Sequence, residues 1–354
     1  SGGGAKGAYQ IGFWKAIREL KINYDIVCGT SIGALNGAFM VQGNYTDAFK
    51  LWYFMDYKKV INDKIEGSYY DSKTRKKIIL KYAKGVIKGG LNVPGLEKIV
   101  SDNLNYDLFY NSNVDYGLVT VKFPKIKPVM LTKNEIPKEL LKDYLLASAA
   151  CFPAFKMKKI NNETYIDGGY YDNMPIDLAV KMGATEILAV DLSALGKHKY
   201  NKKDNIKVDI IKCKDNTLFT LDFGYEASKR NIRLGYNDTM KYFNKLDGDK
   251  FTFKKNSISK NYNKIKMDFI YHINELVTNS KKSIVKNKIF EITRYNKLLL
   301  DINNDKSLEK YMLEYIEYLG KVFLLDNTII YDINKYNRMI LNSMKDNNIK
   351  YDTN

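Results

Sequence analysis

Apolar positions along the first 195 residues recur with two periods in alternation. From Ala8 to Leu20 they fall at Ile11, Trp14, Ile17 and Leu20, close to helical spacing, and Tyr24 to Cys28 then reads as a short buried strand. A second helix follows at once, with Ile32, Leu35, Ala38 and Phe39 on one face. Gly117 to Val121, Lys127 to Leu131, the few residues before Asp167, and Glu186 to Asp191 read as further strands. Pro175 opens a helix at a position where its missing N–H costs nothing, and Gly183 ends it. This alternation predicts an α/β fold with a mostly parallel central sheet covered by helices.

A Lys- and Tyr-rich stretch between Trp52 and Leu108 interrupts the rhythm. It reads as mostly helix with a loop near Gly85 to Pro94, a helical insertion at about residues 52–108. Beyond Leu195 the alternation fades and the prolines cease. There Leu308, Met312, Tyr315, Ile316, Leu319 and Phe323 form one helical stripe of the kind that usually packs into a core. The expected organisation is an α/β domain over 1–195 and a basic, mainly helical region over 196–354.

Composition narrows the classes. The 354 residues are 45% hydrophobic, enough for a large core or two modules, and 27% charged and 13% aromatic content excludes a disordered chain. The formal charge of +17 is uneven: residues 1–195 hold 26 basic and 20 acidic side chains, the shorter remainder 31 and 20. Such a surplus suits an anionic partner, although the Lys, Asn, Ile and Tyr bias is also what an AT-rich coding sequence produces. No zinc-finger or RNP-like motif speaks for nucleic acid.

Cys28, Cys151 and Cys213 are odd in number and far apart, so neither a disulfide framework nor a zinc site is expected, and the cytoplasm is the default compartment. With two His in the chain, a His-rich metal centre is excluded, and any imidazole chemistry must use His198 or His272. No run of 18 apolar residues predicts a transmembrane helix. The sequence opens at Ser1 inside a glycine-rich loop, with no Met and no strand before it, so the natural start is expected upstream and a targeting signal is not read.

Gly29-Thr30-Ser31-Ile32-Gly33 is a G-x-S-x-G set after an apolar strand and before a helix. At such a turn a nucleophile is held strained and exposed, and glycines two positions either side let the backbone turn without Cβ clashes. Ser31 is the candidate nucleophile; a plain Ser N-cap explains it equally well. Upstream, Ser1-Gly2-Gly3-Gly4-Ala5-Lys6-Gly7 runs into a helix, where exposed amides bind anions. A Walker loop would need Ser or Thr after the Lys, but Lys6 is followed by Gly7 and Ala8. A dinucleotide loop is formally met by Gly2, Gly4 and Gly7, without the acidic residue expected after a second strand, since Asp25 stands at that strand's beginning. The other use is an oxyanion hole from the amides of Gly3, Gly4 and Ile32.

A serine nucleophile needs a base. His198 sits in a solvated basic loop and His272 in a helix far downstream. A carboxylate bonded directly to the hydroxyl can serve instead, and Asp167 is the candidate: it ends a strand and is followed by Gly168 and Gly169, a bend with room for a substrate. Asp-Gly-Gly is also an ordinary turn.

Together, the glycine-rich loop with a basic residue, the G-x-S-x-G, and the Asp-Gly-Gly followed by Asn173-Met174-Pro175 resemble the patatin-like phospholipase family. Ala147-Ser148-Ala149-Ala150 with Phe152-Pro153-Ala154-Phe155 matches a segment the family carries shortly before its catalytic Asp. The resemblance covers roughly residues 1–195. It implies a three-layer sandwich and a Ser–Asp dyad lipid acyl hydrolase, of phospholipase A or lysophospholipase type, needing no His, metal or cofactor. Carried over residue by residue, Ser31 is the nucleophile and Asp167 the base. Gly2, Gly3, Gly4, Ala5, Lys6 and Gly7 with Ile32 form the oxyanion hole, Gly29, Thr30 and Gly33 the nucleophile elbow, and Gly168 and Gly169 the turn after the base. Lys6 stands where the family has Arg or Lys, either bracing the loop or attracting a phosphate headgroup. The implied substrate is a phospholipid or lysophospholipid, with peripheral association to anionic membranes. A nucleotide-binding module using the glycine loop is the alternative.

Overall fold

The computed structural model describes residues 1–61, 65, 71–200, 205–214, 218–259 and 305–346, so His272 lies outside the described residues. The chain divides into two compact units, Ser1–Thr239 and Met240–Asn354. Among the described residues no helix is long and apolar enough to cross a membrane.

In the first unit a 3-10 turn at Gly4–Gly7 leads into α1 (Ala8–Glu19), β1 (Ile26–Thr30) and α2 (Ile32–Val41). Then come α3 (Tyr45–Tyr53), α4 (Lys58–Ile61), α5 (Ser72–Ile87), α6 (Pro94–Asn103) and α7 (Tyr106–Tyr110). Their starts follow local chemistry: Asn44, Asp71 and Asn105 cap α3, α5 and α7 by accepting from the third amide onward, and Pro94 occupies the first turn of α6. The chain continues through β2 (Asp115–Phe123), β3 (Lys127–Thr132), α8 (Leu141–Ser148), β4 (Lys158–Ile160), β5 (Glu163–Asp167), α9 (Ile176–Lys181), β6 (Glu186–Asp191) and β7 (Lys207–Lys212). Helix α10 (Tyr225–Tyr242) contains the unit boundary.

Strand β2 organises the main sheet because it has three partners. β1 pairs parallel with its first half, Ile26 to Asp115 through Thr30 to Val119. β5 pairs antiparallel with its second half, beginning at Asp167 opposite Thr120, and β4 pairs antiparallel with β5. β3 spans Gly117 to Lys122 antiparallel, so it takes the opposite edge, and β1 and β5 follow one another along the same edge of β2. Strands β1, β2 and β4 thus share one direction, with β3 and β5 against them, while β6 and β7 form a separate parallel pair.

Helices cover both faces. Tyr116 turns toward α2, its hydroxyl donating to Ala34 O at 2.7 Å, whereas a Cβ on the next residue, Gly117, would meet Leu178 and Met182 at the α9 end. The α/β class and the layering expected from the sequence follow from this alternation. Around it the fully buried Trp14, Trp52, Tyr9, Tyr116, Phe109 and Leu118 fill the core.

The first unit runs well past Leu195, where alternation fades. β7 still pairs with β6, and α10 lies backbone-close on α1: Gly12 faces the Ile232 carbonyl, Gly235 the Tyr9 carbonyl, and Tyr9 Oη donates to Asp238 at 2.9 Å. The stretch over 52–108 is mostly helical where described, with a break between α5 and α6.

In the second unit β8 (Leu246–Asp247) pairs antiparallel with β9 (Thr252–Lys254), and β10 (Ile330–Tyr331) pairs parallel with β9. Two long helices, α11 (Asp305–Val322) and α12 (Ile333–Asp346), join a core of Phe251, Phe253, Met312, Ile316, Tyr331 and Tyr336. The expected stripe is the inner face of α11: Met312 and Ile316 are buried and Tyr315, Leu319 and Phe323 half-buried, while the Leu308 side chain lies outside those described. Glu317 closes the β8–β9 turn by accepting from the amides of Asp249, Lys250 and Phe251 at 2.7, 3.1 and 3.2 Å.

Candidate active site

Ser31 stands between the end of β1 and the start of α2 with φ +56° and ψ −127°. A non-glycine residue in that region costs on the order of 1–3 kcal/mol and persists only where its surroundings fix it. Those surroundings are close backbone. A Cβ on Gly29 would overlap the Gly33 carbonyl, and one on Gly33 would lie 2.6 Å from the Ser1 carbonyl, so the two glycines of the motif are required by contact. Ser31 N–H donates to Ser148 Oγ at 2.9 Å, and that hydroxyl donates onward to Val119 O at 2.7 Å. Thr30 Oγ1 donates to Asp172 O at 2.8 Å.

The sheet register brings Asp167 to the same place. Thr30 is opposite Val119 and Asp167 opposite Thr120, so the residue that follows β1 and the residue that ends β5 meet at one point on the edge of β2. Asp167 is 6% exposed and Ser31 8%. The carboxylate accepts from Gly169 N–H at 2.7 Å, and the Ser31 hydroxyl lies within its hydrogen-bonding reach. Burial nonetheless dominates and pushes the Asp167 carboxyl up to about 6, the two hydrogen bonds offsetting part of that rise. Gly168 presses on the Val119 carbonyl and on Thr30, leaving no space for a side chain behind the carboxylate.

The glycine loop is tied to the end of β6 and lies against Ser31. Ser1 donates its nitrogen to Val190 O at 2.9 Å and accepts from Leu192 N–H at Oγ, also at 2.9 Å. Gly2 lies against Ser31, where a Cβ would stand 3.1 Å from the serine Cβ. Gly4 has φ +54° beside the Thr220 carbonyl, a turn only glycine adopts without strain. Below the loop, Gln10 donates to Ser1 O at 2.7 Å, and Asn36 donates to Gly7 O at 3.0 Å and to Gln10 at 2.8 Å while accepting from the Trp52 indole at 2.9 Å.

This geometry corrects the loop-wide oxyanion expectation. The Gly2 amide donates to Asn173 O, Ala5 to Thr220 O and Lys6 to Gly3 O, so these three donors are spent within the fold. Gly7 packs on Ile32 and Trp52 at the helix junction. Among the described residues no backbone carbonyl accepts from the amides of Gly3, Gly4 and Ile32. Lys6 resolves toward bracing: its ammonium donates to the carbonyls of Leu192 at 3.1 Å and Ser193 at 3.0 Å, and burial lowers its pKa. A phosphate-loop lysine would have to leave both carbonyls, which weakens the nucleotide reading. His198 is exposed; its charge lowers the pKa of Asp172, which burial raises first.

Ser148 and Asn173 were not singled out as functional positions in the sequence. Asn173 accepts the Gly2 amide at 3.0 Å and reaches Gly2 O with Nδ2 at 3.4 Å, fixing the loop beside the serine. The available signal was that both sit in the two segments flanking Asp167 that resemble the family.

Fold and site define an α/β protein built on a strained serine elbow with a buried carboxylate beside it. The chain belongs to the patatin-like phospholipase family, whose profile matches residues 1–180. It is 26% identical over 200 residues to patatin-like phospholipase domain-containing protein 7 of Mus musculus, covering 54% of this chain and 13% of that protein. Against lysophospholipase nte1 of Aspergillus terreus the identity is 27% over 195 residues, 55% of this chain and 12% of the relative. A probable lipid hydrolase of Invertebrate iridescent virus 6 is 26% identical over 184 residues, 51% of this chain and 62% of its own length. The chain thus spans about an eighth of the length of the first two relatives.

Proposed function

We propose that this protein is a lipid acyl hydrolase, of phospholipase A or lysophospholipase type, cleaving carboxylic esters through an acyl-enzyme on Ser31. The observation that carries the reading is the strained Ser31 with its hydroxyl in reach of a buried carboxylate whose pKa is raised to about 6. A base of that pKa is mostly ionised at neutral pH and still has useful proton affinity. Family membership and the names of the fungal and viral relatives support a lipid ester as substrate.

Ser31 Oγ attacks the ester carbonyl carbon while Asp167 takes the hydroxyl proton. The carbonyl oxygen, now negative, is received by the amides of Gly3, Gly4 and Ile32. Collapse breaks the bond to the alcohol, which leaves with the proton from Asp167. Water then attacks the acyl-Ser31 carbonyl while Asp167 takes one of its protons, and collapse breaks the bond to Ser31 Oγ, which regains that proton from Asp167 as the fatty acid leaves.

A fluorophosphonate probe tests this directly. The wild type is modified at Ser31 and the Ser31→Ala variant is not, and fatty acid release from phospholipid and lysophospholipid follows the label. Labelling that persists in the variant, or a labelled protein that releases no fatty acid from either lipid, removes the reading. Mutating His198 to Ala leaves ester turnover within about twofold, because the base is a carboxylate. A collapse there would point to an imidazole instead. Ser148→Ala strands the Ser31 amide and the Val119 carbonyl, two buried groups. It should cost about 1–3 kcal/mol of stability in denaturant titration and lower kcat by about tenfold, with KM little changed.

A further inference from the structure

We infer that helix α5 is the element by which the protein docks on anionic lipid bilayers. The inference rests on the hydrolase reading only in taking the bilayer as the surface that bears the substrate. Helix α5 buries one narrow face, made by Thr74, Ile78, Tyr82 and Gly85. A surface helix with such a face normally carries polar residues elsewhere. Here Ile79, Leu80, Val86 and Ile87 point outward, Ile87 at 86% exposure and Ile79 at 53%.

At about 100° per residue these four, with Ala83, fall on one arc of roughly a third of the circumference, interrupted by Lys76 and, at the helix start, by Ser72. The arc beside it holds Lys73, Lys77, Lys81, Lys84 and Lys88, and Arg75 stands on the other flank. No carboxylate occurs between Ser72 and Lys88. An aliphatic arc bordered by cations is complementary to the acyl boundary of a bilayer and the anionic phosphates above it. A nucleic acid would engage the cations and leave the exposed aliphatics unexplained.

The buried face of α5 rests on the strip that ends at the candidate base. The Tyr82 ring lies 6.1 Å from that of Phe155, and Gly85 packs on Leu91. Leu91 in turn exchanges backbone hydrogen bonds with Ala154 at 2.9 Å and Lys156 at 3.0 Å, and Ala150 O accepts from the Asp167 amide at 2.9 Å. Docking through the outer arc therefore places α5 between the bilayer and the strip that is hydrogen-bonded to Asp167.

The test is co-sedimentation with vesicles of mixed phosphatidylglycerol and phosphatidylcholine, in a Ser31→Ala background so that turnover does not alter the lipid. Two variants separate the arcs: Lys77→Gln/Lys84→Gln/Lys88→Gln, and Ile79→Ser/Leu80→Ser/Ile87→Ser. The charge variant should lose about a hundredfold in partition onto the anionic vesicles and little on pure phosphatidylcholine. The apolar variant should lose at least about tenfold on both. In the Ser31 background both retain hydrolysis of a soluble short-chain ester within about twofold, which shows that they fold. Partition equal to the parent in either variant overturns the proposal, and so does tighter binding of duplex DNA than of the anionic vesicles. If the wild type neither labels nor cleaves the soluble ester, the hydrolase reading fails and the partition data still decide the docking.

Discussion

Replacing Ser31 with Ala will lower ester hydrolysis by at least about a hundredfold, and Asp167→Asn will lower it as far, without unfolding the protein. The first removes the hydroxyl proposed as the nucleophile. The second keeps shape and an acceptor for the Gly169 amide, now bonded at 2.7 Å, but cannot take the serine proton. In the proposed dyad the two groups act on one proton, so the double variant should be little worse than either single one. Independent, multiplying losses would mean the residues do not work as a pair. In the wild type kcat/KM should fall as pH drops through about 6, because the proposed base, Asp167, must be ionised. Two neighbours that feel the Asp167 charge are moved away from that range: burial pushes Cys151 up to about 12 and raises Tyr170 as well. A profile flat down to pH 5 would remove Asp167 from the role.

How far the chain could be read in advance depended on whether information was local. The elbow was legible because glycines at 29 and 33 are contact requirements of one tight turn, written within five residues. Most strands of the main sheet and the break between α5 and α6 were legible from period and punctuation. Pairing was not. An alternating run shows that β2 is a strand and not that three strands share it, and the meeting of Ser31 with Asp167 lies wholly in that pairing. β7, Lys-Val-Asp-Ile-Ile-Lys, alternates poorly, so the first unit seemed to stop at Leu195 when its sheet pair and α10 were still to come. Ser148 was invisible as a support because its partners are Ser31, 117 residues away, and a backbone carbonyl. Loop amides have the same limit: which of six residues keep a free N–H depends on the carbonyls of Asn173 and Thr220.

Asp167→Asn should also make the protein more stable at neutral pH, and the gain should vanish in acid. A carboxyl whose pKa is raised from 3.8 to about 6 on folding binds its proton more tightly in the native state. Its stabilising contribution is full below the unfolded value and is lost as pH rises through the folded one, so at pH 7.5 the native state holds an ion it disfavours. Two pKa units correspond to about 3 kcal/mol, with little solvent screening for a group 6% exposed. Asn has no charge to bury. The variant should therefore gain up to about 3 kcal/mol over wild type in urea titrations at pH 7.5, with the difference closing near pH 4. Asp172, also raised by burial, titrates alike in both proteins and cancels in the comparison. A variant less stable than wild type at pH 7.5, or an offset independent of pH, would show that the carboxylate is better solvated than its surroundings imply. The neighbouring strain points the same way: Ser31→Gly relaxes a φ of +56° and should stabilise the elbow while removing the proposed nucleophile. Two contacting positions at which loss of function brings gain of stability are what selection for chemistry at this turn would leave behind.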